Sequence, residues 1–369
     1  MPKAPKLPKG AAKPRPAVAA MAPYSPPTAG RAGKLRLDFN ENTVGCSPQV
    51  LARLRQLTAE QIACYPERAP VEAVIAGHLD VDPKELLLTN GVDEAIHLLC
   101  ETFLDPADEV LIVVPTFAMY DISAAATGAR VIMVPAGKNF QFPTAALLSQ
   151  ITPRTRLIAV ANPNNPTGSV AEPASLLEVA RRAPQAALLV DEAYFEFYGK
   201  TLLRLWRSVS NLFVARTFSK AYGLAGLRIG VLAGQAQHIQ LVSRIASPYN
   251  VNGVALACLP AALADSEYVH QYVEQVRQGR ELLQQEFHRW GIQYWPSQGN
   301  FVLADFGASN AAFIRSMRAR DILVRDRSRD FGCEGCVRIT VGNMEQTVRL
   351  LRSLREALAE IGAHGVAAQ

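Results

Sequence analysis

Short apolar runs alternate with segments of helical periodicity along the middle of the chain, starting near residue 85. The runs predict strands over residues 85–89, 109–114, 130–134, 156–161, 187–191, 211–215 and 228–233. Several are apolar at every position, which is typical of parallel strands covered by helices on both faces. Helices are predicted over residues 92–104 and 117–127. The alternation predicts an α/β fold with a mostly parallel sheet, whose ligand binds at the carboxyl ends of the strands.

The pattern changes after residue 265. A long amphipathic helix is predicted over residues 267–290, and shorter elements follow it. They are strands over residues 292–294, 300–305, 322–324 and 336–341, and helices over residues 311–320 and 344–361. We therefore expect a disordered tail over residues 1–27, a large domain over residues 46–255, and a smaller α+β domain of residues 28–45 together with 256–369.

The composition is that of a globular protein, since 49% of the 369 residues are hydrophobic and 19% are charged. Such a chain buries a large core, which excludes disordered, collagen-like and coiled-coil proteins. Residues 1–37 hold eight Lys or Arg and no acid, so the net charge of +5 becomes −3 for the remainder, which argues against nucleic-acid binding. Six cysteines are too few for a disulfide scaffold and predict a cytoplasmic protein with reduced thiols.

No membrane or export segment is predicted. The longest uncharged run, residues 245–264, has spanning length but contains Pro248 and Pro260. Residues 1–20 lack the apolar segment of a secretory signal, and prolines interrupt any transit-peptide helix. We interpret them as a disordered tail or as sequence upstream of a start at Met21.

Candidate chemistry is concentrated in residues 217–228 (TFSKAYGLAGLR), between two predicted strands. Lys220 stands among small and apolar residues, and burial lowers the pKa of a lysine, leaving a neutral amine that can form a Schiff base. The hydroxyls of Thr217 and Ser219, together with Arg228, are a candidate phosphate site. A buried structural lysine on a glycine-rich turn is the alternative explanation.

Other strand ends also carry polar residues. Asp191 follows an apolar strand, where a carboxylate can pair with a protonated pyridine nitrogen, although a helix cap or a Mg²⁺ ligand would use the same residue. In residues 162–168 (NPNNPTG) the prolines and glycine enforce a turn that leaves the amide of Asn165 free to donate. Gly91 precedes a helix whose first N–H groups can bind phosphate, or it simply forms a turn. Lys220, Asp191 and Asn165 follow successive strands, which is hard to attribute to chance.

Metal and nucleotide motifs are not predicted. Cys333 and Cys336 form a lone C-x-x-C pair without a second pair at zinc spacing, and the six histidines are scattered. Residues 199–201 look like the end of a P-loop, but Tyr194 stands where its first glycine would be. We therefore expect no metal ion in the site.

Taken together, these motifs resemble those of the fold-type I, class I and II pyridoxal-phosphate aminotransferases. The resemblance extends from about residue 24 to residue 361. It is carried by residues 37–42 (LDFNEN), 65–67 (YPE), 90–94 (NGVDE), 165–168 (NPTG), 191–194 (DEAY), 219–228 (SKAYGLAGLR), 324–326 (VRD) and 337–342 (VRITVG). It implies pyridoxal 5′-phosphate as cofactor and a fold-type I transferase with a large and a smaller α+β domain.

The resemblance also implies catalytic roles. Lys220 would carry the cofactor covalently and later move the substrate proton. Asp191 would keep the pyridine nitrogen protonated, Phe117 would stack on the ring, and Tyr194 and Asn165 would hydrogen-bond its O3′ oxygen.

The cofactor phosphate has its own set of implied residues. They are Gly91, Val92, Asp93, Thr217, Ser219 and Arg228. Tyr65 would reach the phosphate of the neighbouring subunit, which implies a homodimer with shared active sites. Without the resemblance, Tyr65 would be interpreted as a packing residue before a proline.

For the substrate, the resemblance implies that Arg338 binds the α-carboxylate of glutamate or 2-oxoglutarate and that Arg325 binds a second anionic group. Surface positions in an arginine-rich stretch are the alternative. Further candidates for substrate contact are Tyr24, Asn40, Glu41 and Asn165.

The reaction implied is transamination between L-histidinol phosphate and 2-oxoglutarate, both small molecules, in histidine biosynthesis. Two other enzymes with the same machinery are alternatives: an aminotransferase of aromatic amino acids, and a decarboxylase of a phosphorylated amino acid. A cofactor-binding regulator is a further alternative, but it would be expected to lack Lys220 or Asp191.

Overall fold

The computed structural model describes residues 10–362, whose strands form two sheets. The strands are β1 (Leu35–Leu37), β2 (Leu86–Thr89), β3 (Glu109–Val114), β4 (Arg130–Pro135), β5 (Thr155–Ala161), β6 (Ala187–Asp191), β7 (Leu212–Thr217), β8 (Gly230–Gly234), β9 (Tyr294–Trp295), β10 (Phe301–Asp305), β11 (Ile322–Asp326) and β12 (Cys336–Thr340). The helices are α1 (Pro16–Ala19), α2 (Pro48–Arg55), α3 (Ala59–Ala63), α4 (Ala69–Leu79), α5 (Val92–Phe103), α6 (Met119–Thr127), α7 (Thr144–Ser149), α8 (Pro173–Arg182), α9 (Phe195–Tyr198), α10 (Ala236–Ser243), α11 (Gly253–Ala264), α12 (Ser266–Arg289), α13 (Asn310–Ala319) and α14 (Met344–Glu360).

Strands β2 to β8 form a seven-stranded sheet in the order β2-β8-β7-β6-β5-β3-β4. Strand β8 runs antiparallel to both of its neighbours, and the other neighbouring strands are parallel. The prediction of an α/β fold with a mostly parallel sheet is confirmed. Because β5, β6 and β7 are parallel and adjacent, their carboxyl ends lie side by side, with Asp191 between Ala161 and Ala215.

Helices cover both faces of this sheet, so every residue of β6 is buried. Leu189 packs in a core shared with α5 and α10, whereas Leu188 and Val190 pack on the opposite face with α8 and α11. Burying one such side chain contributes about 1.5–3 kcal/mol relative to leaving it exposed. The two cores hold the strand ends in fixed positions, which is what a site built on them requires.

The second sheet has the order β1-β11-β12-β10-β9 and is antiparallel except for the pair β1 and β11. Strand β1 is not predicted from the sequence. The strands of the large sheet fall within residues 86–234, and those of the small sheet within residues 35–37 and 294–340. This distribution supports the proposed division into a large domain over residues 46–255 and a small domain of residues 28–45 with 256–369.

The disordered tail expected over residues 1–27 stays a prediction; residues 1–9 lie outside the described residues, and the described remainder contains one short helix. Helix α1 begins with Pro16, whose ring suits the first helical turn, and lies close to α6. Tyr24 and Pro26 line a cavity between the sheets. Most residues of this segment are exposed, but Tyr24 and Pro26 contact the rest of the protein at the cavity, which the composition of the segment does not indicate.

The long uncharged run of the sequence contains α11, which begins at the cap residue Asn252 and includes Pro260. Its side chains Ala255, Leu256 and Leu259 are buried in the protein core. Within residues 10–362, no helix is both long enough and apolar enough to cross a membrane.

Candidate active site

A cavity of about 440 Å³ lies at the carboxyl ends of β5, β6 and β7 and is closed on its other side by β11 and β12. The predicted site residues that line it are Tyr24, Val92, Asp93, Phe117, Asn165, Asp191, Tyr194, Thr217, Ser219, Lys220, Arg228, Arg325 and Arg338. Four predicted residues are not among its described lining residues, namely Gly91, Asn40, Glu41 and Tyr65. The structure therefore brings together in one cavity side chains that are separated by hundreds of residues in the sequence.

Lys220 projects into this cavity from the turn after β7. Its Nζ donates a hydrogen bond to the carbonyl oxygen of Phe39 at 3.1 Å. Burial and, to a smaller extent, the positive charge of Arg338 lower the pKa of Lys220 to about 8. A lysine with this pKa supplies a neutral amine near physiological pH, as a nucleophile or a proton acceptor requires.

Asp191 lies at the end of β6, on the floor of the cavity. Its carboxylate accepts a hydrogen bond from the hydroxyl of Tyr120 at 2.6 Å and another from the backbone N–H of Ala193 at 3.0 Å. Burial raises the pKa of Asp191 to about 6, while these two hydrogen bonds act to lower it. The group is therefore ionised at neutral pH.

Within residues 10–362, no group of three or more His, Cys, Asp or Glu side chains could hold a metal ion.

The phenol of Tyr194 is held by Asn40, whose Nδ2 donates to its oxygen at 2.8 Å. Asn40 is fully buried and also accepts a hydrogen bond from the hydroxyl of Thr340 at 3.0 Å. Burial raises the pKa of Tyr194, which keeps its hydroxyl protonated and able to donate. Asn40 thus orients Tyr194, and the substrate contact that the resemblance implies for Asn40 stays a prediction.

A candidate phosphate site lies where α5 begins. Gly91 precedes the first turn with φ +75, and a Cβ at this position would lie 2.5 Å from a guanidinium nitrogen of Arg228. Arg228 also pairs with Asp93 at 2.9 Å. The buried hydroxyl of Ser219 has no hydrogen-bond partner in the described part of the chain. Free N–H groups at a helix start, a guanidinium and an unsatisfied hydroxyl together suit a phosphate group.

Arg338 and Arg325 line the opposite end of the cavity. They lie directly opposite each other in the antiparallel pair β11 and β12. Arg338 is buried and donates hydrogen bonds to the side-chain oxygen of Asn165 and to the carbonyl oxygen of Asp38. Burial lowers the pKa of Arg338 to about 10. Neither arginine forms an ion pair with any carboxylate of residues 10–362, so this end of the cavity suits an anionic ligand.

Two further candidates for substrate contact, Glu41 and Tyr24, lie in different places relative to the cavity. Glu41 pairs with Arg31 at 2.6 Å, and Arg31 also pairs with Asp38 at 2.8 Å, so the carboxylate of Glu41 is engaged outside the cavity lining. Tyr24 does line the cavity, at its entrance, with 48% of the residue exposed.

Tyr65 lies on the surface, away from the cavity of its own chain. It is 75% exposed and stacks on Tyr249 with a distance of 4.0 Å between the ring centroids. An aromatic packing residue would be buried in the core of its own chain. Tyr65 is exposed instead.

Sequence reasoning missed several residues that line this cavity, namely Tyr120, Arg327 and Phe39 together with Pro26, Thr28, Ala161, Pro163 and Ala193. Tyr120 stands three positions after Phe117 at the start of α6, so helical spacing could have indicated it. Arg327 stands two positions after Arg325, just beyond the end of β11, so the period of an extended strand continued by one residue could have indicated it. Phe39 lies in residues 37–42, which carry the resemblance, but its contact with Lys220 is made by a backbone carbonyl and does not depend on the side chain.

A family model for aminotransferases of class I and II matches residues 24–354. Together with the fold and the cavity, this match shows that the chain belongs to the class I and II aminotransferases. Its cofactor is pyridoxal 5′-phosphate.

Several named proteins are similar to this chain over most of its length. The chain is 35% identical over 333 residues to the histidinol-phosphate aminotransferase of Moorella thermoacetica, covering 88% of this chain and 86% of the relative. It is 36% identical over 335 residues to that of a Geobacillus species, covering 88% and 90%. A crystal structure of histidinol-phosphate aminotransferase from Sinorhizobium meliloti, in complex with pyridoxal 5′-phosphate, superposes with a TM-score of 0.85 at 26% identity, covering 94% and 97%.

The residues of the cavity fit this cofactor. The unsatisfied Ser219 hydroxyl, Arg228 and the start of α5 would hold its phosphate, with Gly91 leaving room for Arg228. The ionised Asp191 would hold a proton on the pyridine nitrogen, and Lys220 supplies the amine that its aldehyde needs.

Proposed function

We propose that this enzyme transfers the amino group of L-histidinol phosphate to 2-oxoglutarate, reversibly, in histidine biosynthesis. The observation that carries the proposal is the pair Arg325 and Arg338, which lack a carboxylate partner among the described residues and line the same cavity as Lys220. The relatives' name supports the same substrate.

Pyridoxal 5′-phosphate, when bound, supplies an aldehyde for an amine and a ring that accepts the electrons of a bond broken at the substrate Cα. The protein supplies the proton transfers. With a pKa of about 8, the Nζ of Lys220 takes a proton from the substrate Cα and can return it. The carboxylate of Asp191, fixed by Tyr120, stabilises a proton on the ring nitrogen.

The two arginines account for the two substrates. Arg338 would bind the α-carboxylate of glutamate or 2-oxoglutarate through a bidentate pair, because a guanidinium matches the planar carboxylate. L-Histidinol phosphate has no carboxylate, so its phosphate would occupy the anion site that glutamate uses in the other half-reaction. Asn165 accepts from Arg338 and donates no hydrogen bond within residues 10–362, which leaves its amide available to the cofactor's O3′.

The test is the visible absorption spectrum of the purified enzyme before and after addition of L-histidinol phosphate without a keto acid. We expect the band of the lysine-bound cofactor to convert to that of the aminated cofactor, and a Lys220→Ala variant to show neither the band nor turnover. Conversion by phenylalanine but not by L-histidinol phosphate would replace the proposed donor with an aromatic amino acid. Release of CO₂ without a keto acid would make the enzyme a decarboxylase.

We also propose a homodimer with shared active sites in the cytoplasm. The exposed stack of Tyr65 on Tyr249 supports the dimer, because the two rings are available to a second copy of the chain. The six cysteines are free, which supports a reducing compartment. Sedimentation equilibrium should give twice the chain mass of 40.1 kDa. A Tyr65→Phe variant should release its cofactor faster than wild type, whereas a monomer that holds cofactor normally would refute the shared site.

A further inference from the structure

The charges that line the cavity are unevenly distributed. At the candidate phosphate site Arg228 is paired with Asp93. At the opposite end lie three guanidinium groups, those of Arg325, Arg327 and Arg338. The single carboxylate that forms an ion pair with any of them, within residues 10–362, is that of Asp330. Two arginines are enough to bind the carboxylate of a substrate, so the presence of a third guanidinium in the cavity requires an explanation.

Arg327 follows β11 and is fixed at both ends of a short turn. Its backbone N–H donates to the carbonyl oxygen of Cys336 at 3.0 Å, and its carbonyl oxygen accepts from the N–H of Asp330 at 2.9 Å. The side chains of Arg327 and Asp330 then pair with each other across that turn. The side chain of Arg327 is 13% exposed, and its buried Nε has no hydrogen-bond partner in the described part of the chain.

The charge of Arg327 acts on the substrate end of the cavity. Burial is the largest influence on both neighbouring groups, raising the pKa of Tyr194 and lowering that of Arg338, and the charge of Arg327 acts to lower both pKa values. Arg327 therefore lies close enough to the anion-binding arginines to contribute to the same site, with an unused hydrogen-bond donor.

We propose that Arg327 is a specificity-determining residue that recognises the doubly charged phosphate of the amino donor in preference to a singly charged carboxylate. This inference rests on the proposed function. A substrate carboxylate is chemically equivalent to the carboxylate of Asp330. A substrate carboxylate that displaced Asp330 from Arg327 would therefore gain little binding free energy. A phosphate carries nearly two charges at neutral pH and has three acceptor oxygens. It can therefore bind the Arg327 guanidinium, which lines the cavity, while Asp330 stays paired.

The first test is steady-state kinetics of an Arg327→Gln holoenzyme with both substrates. We expect the KM for L-histidinol phosphate to rise about tenfold, the loss of a charge-assisted hydrogen bond, with the KM for glutamate changed less than about twofold. Arg327→Lys should recover part of the loss. The matched control is Arg329→Gln, since Arg329 is exposed and does not line the cavity. Equal changes in both KM values, or no change in either, would overturn the proposal.

An Asp330→Asn variant tests the discrimination itself. Without its counter-ion Arg327 is free to bind a carboxylate, so the KM for glutamate should fall and the ratio of the two KM values should approach one. An unchanged ratio would contradict the proposal. The visible band of the lysine-bound cofactor shows in each variant whether the site is assembled.

Inhibition by inorganic phosphate tests the role of Arg327 independently of the identity of the amino donor. Inorganic phosphate should inhibit the glutamate half-reaction competitively, with an inhibition constant that rises about tenfold in Arg327→Gln. If wild type does not convert L-histidinol phosphate but this rise is seen, the proposed donor fails and the phosphate-recognising role of Arg327 stands. If wild type converts the donor and the inhibition constant does not change, the role of Arg327 fails and the proposed function stands.

Discussion

Arg325 and Arg338 lie directly opposite each other on β11 and β12, two positive charges in a position where like charges repel. Within residues 10–362 neither forms an ion pair with a carboxylate. Arg338 is held by Asn165 and by the carbonyl oxygen of Asp38, whereas Arg325 lies over the ring of Phe39 at 5.4 Å. The arrangement is unfavourable until an anion binds, so substrate binding and protein stability are coupled here.

We therefore expect 2-oxoglutarate to raise the melting temperature of the holoenzyme. At a concentration of about 100 times Kd the stabilisation is about 2.7 kcal/mol. In Arg325→Gln this rise should be smaller, and the melting temperature without ligand should equal or exceed that of wild type, because one of two repelling charges is gone. Differential scanning calorimetry measures both. Arg329→Gln, at an exposed position, should behave as wild type, and a full rise in Arg325→Gln would contradict the coupling.

The hydroxyl of Tyr120 lowers the pKa of Asp191 by donating a hydrogen bond to its carboxylate. Replacing Tyr120 by Phe removes the donor, so the pKa of Asp191 should rise above its value of about 6. Asp191 is then neutral over a wider pH range. The acid limb of the pH profile of kcat/KM should therefore move to higher pH in Tyr120→Phe.

The pH profiles of wild type and Tyr120→Phe measure this displacement. Tyr294→Phe is the matched control, since Tyr294 lies on β9 and does not line the cavity. An acid limb that stays in place in Tyr120→Phe would show that Asp191 does not set it.

The pKa of Lys220, lowered to about 8 by burial, predicts how the apoenzyme captures its cofactor. Only the neutral amine is a nucleophile, so the rate of capture should rise with pH and level off above about pH 8. Stopped-flow absorbance with added pyridoxal phosphate measures this rate. Between pH 8 and the usual lysine value of 10.5, the unfolded chain binds a proton that folded Lys220 does not. Apoenzyme stability should therefore gain from this group as pH rises through that window. A rate that levels off only near pH 10.5 would contradict the lowered pKa.

Glu192 and Arg216 form an ion pair beneath the site, at 2.8 Å and with side chains 0% and 6% exposed. Glu192 also accepts from the N–H of Leu202 and the hydroxyl of Thr201. Replacing Arg216 by Met leaves a buried carboxylate without its counter-ion, which should lower the free energy of unfolding by about 3–5 kcal/mol.

Urea unfolding of the holoenzyme measures this loss. The comparison variant is Arg277→Gln, which breaks exposed pairs with Glu274 and Glu281 and should lower the free energy of unfolding far less, because water screens exposed charges. Equal losses of unfolding free energy in the two variants would show that the buried ion pair contributes no more to stability than the exposed pairs do.

Gly91→Ala should weaken cofactor binding. Position 91 has φ +75, which alanine adopts with strain, and the new Cβ would lie 2.5 Å from Arg228. Arg228 must move away from the start of α5, so we expect the Kd for pyridoxal phosphate to rise by about tenfold or more. Equilibrium dialysis measures it. Gly226→Ala is the control, because a Cβ there has open space. Unchanged affinity in Gly91→Ala would remove Arg228 from the phosphate site.

The sequence alone determined the large sheet and the main chemical groups, because both leave local signals. Strands β3 and β6 have the predicted bounds, since their apolar runs end abruptly at turn residues. Lys220, Asp191 and Asn165 could be predicted because each follows such a strand, and parallel strands bring their carboxyl ends together. Their individual roles stay predictions until the variants are measured.

The tertiary structure decided what has no local signal. Strand β1, with its central Arg36, exists because it pairs with β11 nearly three hundred residues later. Helix α11 was missed because it is apolar on several faces and contains Pro260, so it has no amphipathic period.

Contacts within the site depended on the fold in the same way. The hydrogen bond from Tyr120 to Asp191 joins residues 71 positions apart, and that from Asn40 to Tyr194 joins residues 154 apart. Periodicity and motif spacing report which groups the chain carries and on which elements. Which of those groups touch is decided by the packing of distant elements, because hydrogen bonds and ion pairs act over a few ångströms in space and not along the sequence.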